Sequence, residues 1–345
     1  MYYPDTNASI KLSGSPSLVM NNLSASPMDY MCYVRLDEVY ITKGNGESNK
    51  IPISKSKVYQ ATFIQLQEKC VLAVLSNLGI QVWSMLGDNM IFYFPLNSLL
   101  GFESEEELFM RGVTCLDNNL CVGCSTGNIL IFTAKDGTQA CSTNFPLAHN
   151  LEADRVAITC LASAKNLLFA ADDNGKLFGY AANEAFAQSF SFPGKGMPCT
   201  SLCLSSGGRG GGKAESGNDL LLLAGYTSGH IRGFRIDIME MAFEITAHTR
   251  SVTGLCLRPP VGVAGAAADV DVDQDVVELA SCAQDQYLHV WALPDYRSAS
   301  SSRVSLLYSV CLENNMCTGV AYLSEDRICV ASYDEDEIAL FRKVG

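Results

Sequence analysis

The groups best able to do chemistry in this chain are four histidines and fourteen cysteines, and their spacing decides what is open to them. A catalytic nucleophile needs a base within hydrogen-bond reach, and a structural zinc needs four nitrogen or sulfur ligands. Cys121-Val122-Gly123-Cys124 is a CxxC pair, but no second pair and no histidine pair accompanies it. Within one strand its two thiols point to opposite faces, because side chains alternate. The pair reads as packing. His149, His230, His248 and His289 stand in no Ser-His-Asp or Cys-His spacing, although such triads are assembled in space. Gly208-Arg209-Gly210-Gly211-Gly212-Lys213 is glycine-rich, yet it lacks phosphate-loop spacing and a following Ser or Thr on a helix. No catalytic, cofactor-binding or metal-binding residue is assigned.

Charge narrows the partners. With 24 basic against 37 acidic residues, the formal charge is −13. That argues against nucleic acid, since phosphate backbones need clustered cations. It suits solubility and basic protein partners. No secretory start is read at Met1-Tyr2-Tyr3-Pro4, and the longest apolar run, Leu220 to Gly225, is too short to span a bilayer. Cys115, Cys121, Cys124, Cys160, Cys203, Cys256, Cys282 and Cys329 sit inside apolar, strand-like runs, where free Cys behaves as a small hydrophobe. These readings predict a cytoplasmic protein without membrane insertion.

The elements that carry these residues recur. VLAVLSNLGIQVW ends at Trp83, NLCVGCSTGNILIF at Phe132, LLFAADDNGKLFGY at Tyr180, LLLAGYTSGHIRGF at Phe234, ELASCAQDQYLHVW at Trp291 and ICVASYDEDEIALF at Phe341. A weaker seventh copy runs from Tyr30 to Thr42. Each is an apolar strand, a polar turn and a second strand ending on an aromatic. Ahead of the copies lie inner-strand sequences: Thr114-Cys115-Leu116, Thr159-Cys160-Leu161, Ser201-Leu202-Cys203 and Thr253-Gly254-Leu255. With an outer strand between copies, each unit supplies four strands.

The stretch from His248 to Trp291 resembles a WD40 repeat. His248, Ser281, Asp285 and Trp291 fall where that family places a hydrogen-bonded quartet of turn His, strand hydroxyl, turn Asp and strand Trp. A buried carboxylate costs several kcal/mol unless such donors reach it. The resemblance implies an all-β fold: a seven-bladed WD40 β-propeller. Its last blade lacks an outer strand, so the segment Ala8 to Leu12 is expected to complete it and close the ring. One domain over 8–345 follows, with 1–7 as a short tail and insertions at about 205–218 and 261–275 as mobile loops.

Several segments are further similar to the WD repeat-containing protein 54 family. They are Asn21-Asn22-Leu23-Ser24, Arg111-Gly112-Val113, Cys121-Val122-Gly123, Ala171-Asp172-Asp173, Ala224-Gly225-Tyr226, Ala247-His248-Thr249-Arg250 and Tyr333-Asp334. That resemblance implies a stand-alone propeller without known catalysis, acting through partners.

Partner-binding candidates then follow from the family's geometry. Arg111, Arg155 and Arg250 each precede an inner strand, the position that rims the central channel in this family. Their forked guanidinium groups suit carboxylates or phosphates. The alternative is solvated or locally paired arginines. Asp172, Asp173, Asp334 and Glu335 lie in turns expected on the same face. The leading expectation is a non-catalytic scaffold for proteins or peptides. Two others are a structural subunit of a ciliary, flagellar or cytoskeletal assembly and an enzyme at the channel mouth. A ubiquitin-ligase adaptor role is weakened, because Ala292-Leu293-Pro294 follows Trp291 where that role's WDxR signature belongs.

Overall fold

A strand buried on both faces needs a packed neighbour on each side, and the second strand of each repeat meets that condition. In Leu220–Tyr226 every residue is buried. Leu220, Leu222 and Ala224 pack toward the preceding sheet, and Leu221 and Leu223 toward the following one. Period-two alternation thus builds one apolar layer on each side of a sheet. Repeated seven times, it makes seven antiparallel sheets around an axis, with one hydrophobic cluster in each gap between neighbours. The molecule is a seven-bladed β-propeller. The computed structural model describes residues 1–5, 9–53, 55–99, 108–134, 145–206, 220–259, 277–293 and 303–344.

Counted from the N-terminus, the inner strands of blades 1 to 7 are Ser24–Ala25, Val58–Leu66, Met110–Leu116, Ile158–Ala164, Cys199–Ser206, Val252–Leu257 and Cys317–Ser324. Blade 1 has a very short inner strand, and its copy in the sequence, Tyr30 to Thr42, is its second and third strands. The insertion expected at 261–275 lies outside the described residues. So does most of the one expected at 205–218, although Ser205 and Ser206 still belong to the blade 5 inner strand.

The N-terminal segment completes blade 7, but it engages earlier than expected. Tyr2–Pro4 pairs with Phe341 to Lys343, and Ile10–Lys11 pairs with Glu337 and Ile338. Residues 2–4 are therefore part of the sheet rather than a free tail. Tyr2 is only 2% exposed and packs in the gap between blades 6 and 7. Its hydroxyl donates to Glu278 Oε2 (2.7 Å), and Glu278 Oε1 also accepts from Lys343 Nζ (2.5 Å) and Arg258 Nη1 (3.3 Å). Burial alone would push the Glu278 carboxyl up. These donors and charges instead hold it below the ordinary range.

After Lys11 the chain crosses between blades 7 and 1. Leu12 N–H donates to Asp336 O, Asp334 N–H to Pro16 O, and Leu36 N–H to Ser17 Oγ. It reaches the axis at Asn21. There the Asn21 backbone N–H donates to Thr253 O (2.7 Å) and its amide to Thr200 O (2.7 Å), so one residue ties blade 1 to blades 5 and 6. Asn22 N–H donates to Thr318 O of blade 7 (2.9 Å).

Each inner strand of blades 2 to 7 carries a bulge near its start, between residues such as Ile158 and Cys160. In blades 4 to 7 the extra residue is a threonine: Thr159, Thr200, Thr253 and Thr318. Each hydroxyl donates to a carbonyl of the second strand, at 3.1–3.2 Å. This register corrects the sequence alignment of inner strands. Arg111 in blade 3, not Thr114, matches Thr159.

Candidate functional site

Turns between second and third strands share one face with the loops that lead into inner strands. Gly229 O, in such a turn, accepts the N–H groups of Ala247 and His248 (3.1 and 3.0 Å), and Gly127 O accepts Ala153 N–H (3.1 Å). The approach is close enough to require glycine. At Gly229 (φ +80°) a Cβ would stand 2.1 Å from His248 O. The loop backbones are thus fixed on the turns beneath them, which sets the points from which their side chains project.

The firmest of these anchors is the quartet in blade 6. His248 Nδ1 lies 3.1 and 3.2 Å from the two Asp285 oxygens, and Nε2 lies 2.8 Å from Ser281 Oγ. Trp291 Nε1–H donates to the same Ser281 Oγ at 2.9 Å. The indole has only a proton to give. The Ser281 hydroxyl therefore donates to Nε2, and Nδ1–H donates to the carboxylate. Asp285 also accepts the backbone N–H groups of Thr249 (2.8 Å) and Tyr287 (3.2 Å). Burial raises the Asp285 pKa, but the His248 hydrogen bond and the two N–H groups outweigh it, and the value falls to about 2.

His289 stacks on His248 at 4.6 Å, and its Nδ1 is buried without a partner among the described residues. Burial, then the proximity of His248, pulls its pKa down to about 4. The folded protein therefore disfavours a proton that the unfolded chain accepts near pH 6.5. Unfolding then takes up protons as the pH falls below that value, so stability drops on acidification. Between pH 7 and pH 5 the loss should be about 1 kcal/mol after allowance for solvent screening. Denaturation midpoints at the two pH values measure it. His289→Phe, which keeps a stacking ring, should flatten the difference, and an unchanged slope would rule this account out.

The remaining candidates are placed unequally. Arg155 (φ +58°) and Arg250 are exposed in the loops before blades 4 and 6, and neither forms an ion pair among the described residues. Arg111 does not occupy the equivalent position. It is half-buried within its inner strand, at the bulge, beside blade 4. The sequence groups Asp172 with the partner-facing acids, but Asp172 is 1% exposed. Its carboxylate accepts the N–H groups of Asn174 (2.9 Å) and Lys176 (2.8 Å), building its own turn. Burial raises its pKa against those bonds. Asp173, next to it, is exposed. Asp334 is exposed and accepts from Ser15 Oγ (3.2 Å), and Glu335 is half-buried beside Asn315. The three arginines and the acids thus form no single cluster: Arg155, Arg250, Asp173 and Asp334 are exposed on the loops and turns of one face, whereas Arg111 lies within a strand and Asp172 is buried.

The other groups the sequence singled out take structural positions. Cys121 packs in the gap between blades 3 and 4 and Cys124 in the gap between blades 2 and 3, as strand alternation requires. His149 lies in the outer strand Leu147–Glu152, with its ring against Phe186.

The inner strands enclose a channel of about 280 Å³ whose lining carries no charged side chain. Side chains on it bridge neighbouring blades. Gln60 Oε1 accepts Gly112 N–H (2.9 Å), and Ser201 Oγ accepts Leu255 N–H (3.1 Å). Asn21 and these bridging residues went unassigned in the sequence. The bulge threonines had a signal, the recurrent Thr at the strand entrance, but Asn21 had none.

The WDR54 family model matches residues 46–344. WD repeat-containing protein 54 of Mus musculus is 25% identical over 331 residues, covering 93% of this chain and 87% of the mouse protein. The Homo sapiens protein of the same name is 24% identical over 364 residues, with 97% and 98% covered. Among solved structures, a chain of the mitotic checkpoint complex superposes with a TM-score of 0.71 at 12% identity, covering 99% of this chain and 92% of that one. Raptor of Chaetomium thermophilum gives 0.67 at 11% identity, covering 98% of this chain and 29% of Raptor. At such identities the two structures speak to the propeller fold alone.

Proposed function

Since the chain belongs to the WDR54 family of WD-repeat proteins, we propose that it is a non-catalytic scaffold that captures protein segments on the face carrying Arg155, Arg250, Asp173 and Asp334. One observation carries this reading. Exposed charged side chains stand on loops whose backbones are held by buried turns, so the points from which they project are set before a partner arrives. Preorganised groups bind at lower entropic cost than groups that must be ordered on contact.

The interior of the ring supports the same reading. Asn21 bridges the axis at that end, and the lining behind it is uncharged. A partner is therefore held across the face, by loops, rather than threaded through the centre. Arg155 and Arg250 supply planar forks for carboxylates on the partner, and Asp173 and Asp334 accept basic groups.

Charge reversal tests this. The double variant Arg155→Glu, Arg250→Glu should lose the proteins recovered by quantitative affinity purification with the wild type, while its unfolding midpoint is unchanged. Exposed charges contribute little to stability, so folding and capture separate cleanly. Recovery of the same proteins at the same level from both forms would defeat the proposal.

A further inference from the structure

The last blade is edged by two separate pieces of the N-terminal segment. Tyr2–Pro4 pairs with Phe341 to Lys343 and Ile10–Lys11 with Glu337 and Ile338, so Ala339 and Leu340 have no strand partner on that edge among the described residues. Asp5 N–H reaches this gap and donates to Leu340 O (2.8 Å). A cavity of about 290 Å³ opens there, between the N-terminal segment, the turn before Glu337 and the loop that follows the outer strand of blade 6.

Its lining is of two kinds. Leu312 and Phe341, which also belong to the apolar packing between blades 6 and 7, form walls. Asp5, Glu335 and Glu337 add three half-buried carboxyl groups, and no lysine, arginine or histidine lines the cavity among the described residues. None of the three enters an ion pair among the described residues. Lys11 stands opposite Glu337 in the strand register but makes no ion pair with it. Glu335 has the neutral Asn315 amide, 2.7 Å away. Ser332 is 2% exposed and lines the same cavity. Its hydroxyl has the Cys317 thiol beside it and no oxygen or nitrogen partner among the described residues. Among the described residues, no three acidic, histidine or cysteine groups lie close enough to hold a metal ion. The lining instead suits a longer occupant, with an apolar stem and a cationic head.

We propose that this cavity receives an arginine or lysine side chain of a captured segment, with the stem along Leu312 and Phe341 and the charged head among Asp5, Glu335 and Glu337.

The inference rests on the scaffold reading above and adds the chemistry of what is captured. Glu335 follows Asp334 in the same turn, so the cavity adjoins the face that carries Asp334. Long cationic side chains bury their methylenes against apolar surface while the head meets charge. Carboxylates held partly out of water without a cation gain charge-assisted hydrogen bonds when one arrives. The formal charge of −13 draws basic segments toward the protein, and the cavity gives one of their side chains a seat.

The test titrates the full-length protein, its leucine methyls isotope-labelled for NMR, with capped pentapeptides that carry arginine, lysine or citrulline between glycines. Citrulline keeps the shape of arginine without its charge. The arginine and lysine peptides should shift the Leu312 methyl signals saturably, and the citrulline peptide should bind about tenfold more weakly or worse. The double variant Glu335→Gln, Glu337→Gln should weaken the arginine peptide by a similar factor. Glu152→Gln, on the outer strand of blade 3, should leave it unchanged. The citrulline comparison uses the wild type, so a folding defect in the double variant leaves the result readable. Equal binding of the citrulline and arginine peptides, or no saturable shift at Leu312, would overturn the proposal. The scaffold reading is decided separately, by affinity purification with the Arg155→Glu, Arg250→Glu variant, so the two fail independently.

Discussion

Removing residues 1–11 lowers the free energy of unfolding by roughly 3–5 kcal/mol and makes the protein prone to association. The deletion strips Tyr2 and Ile10 from the last blade, where they are 2% and 3% exposed. Burial of each such side chain contributes about 1.5–3 kcal/mol. It also removes the Tyr2 hydroxyl from Glu278, a hydrogen bond to a charged group worth about 1.5–3 kcal/mol. The entropy regained by the released segment offsets part of the sum. What remains is a large share of the 5–15 kcal/mol that typically holds a domain together. The strand Glu337–Lys343 then becomes an open edge with unpaired N–H and C=O groups, a template for pairing with another chain. Denaturant titration measures the first effect and size-exclusion chromatography the second. A truncated protein that stays monomeric with an unchanged midpoint would show that the N-terminal strand is not what closes the ring.

Asp285→Ala costs about 3 kcal/mol near neutral pH. The buried His248 Nδ1–H is left without an acceptor, and the N–H groups of Thr249 and Tyr287 lose theirs. Orphaned buried donors of this kind carry penalties of about 1–3 kcal/mol each, partly relieved by relaxation. The pH dependence identifies the cause. Asp285 has a pKa of about 2 folded, against about 3.9 for a free aspartate. Its contribution is complete above the unfolded value and is lost as the pH falls through the folded one. The gap between wild type and variant should therefore be constant from pH 7 down to about pH 4 and narrow by about 2 kcal/mol toward pH 2. Midpoints of urea denaturation across that range provide the measurement. A gap that does not narrow would mean that the loss comes from packing.

The repeats were legible because their signal is local. Strand alternation, turn residues and a terminal aromatic recur along the chain, and the His248, Ser281, Asp285 and Trp291 spacing matched a known arrangement. Two differences between sequence and structure are local as well. Asp172 is followed by Asn174 and Gly175, the composition of a turn in which an aspartate bonds the backbone ahead of it. Thr114 was aligned with Thr159 on a shared Thr-Cys-Leu run. The bulge register matches Thr159 with Arg111, because the blade 3 strand begins with Met110 where blade 4 begins with Ile158. The rest depended on distance. Nothing near Glu278 in sequence announces Tyr2, 276 positions away, and nothing near Asn21 announces Thr200, 179 positions on. Contacts of that span are set by ring geometry, which becomes visible only once the blades are in place.

The same long-span contacts imply an order of events in the cell. Synthesis runs from the N-terminus, so Tyr2, Ile10 and Asn21 leave the ribosome first. Their partners in blades 5, 6 and 7 are made last. The opening segment must wait, unpaired, through the synthesis of nearly the whole chain, because closing so large a loop has no reward until those partners exist. Blades 1 to 6 can each assemble as their strands emerge, while blade 7 can be finished only once the strand Glu337–Lys343 has emerged. Ring closure is then the final and slowest act of folding, and the interval before it is when this protein most needs a chaperone's shelter.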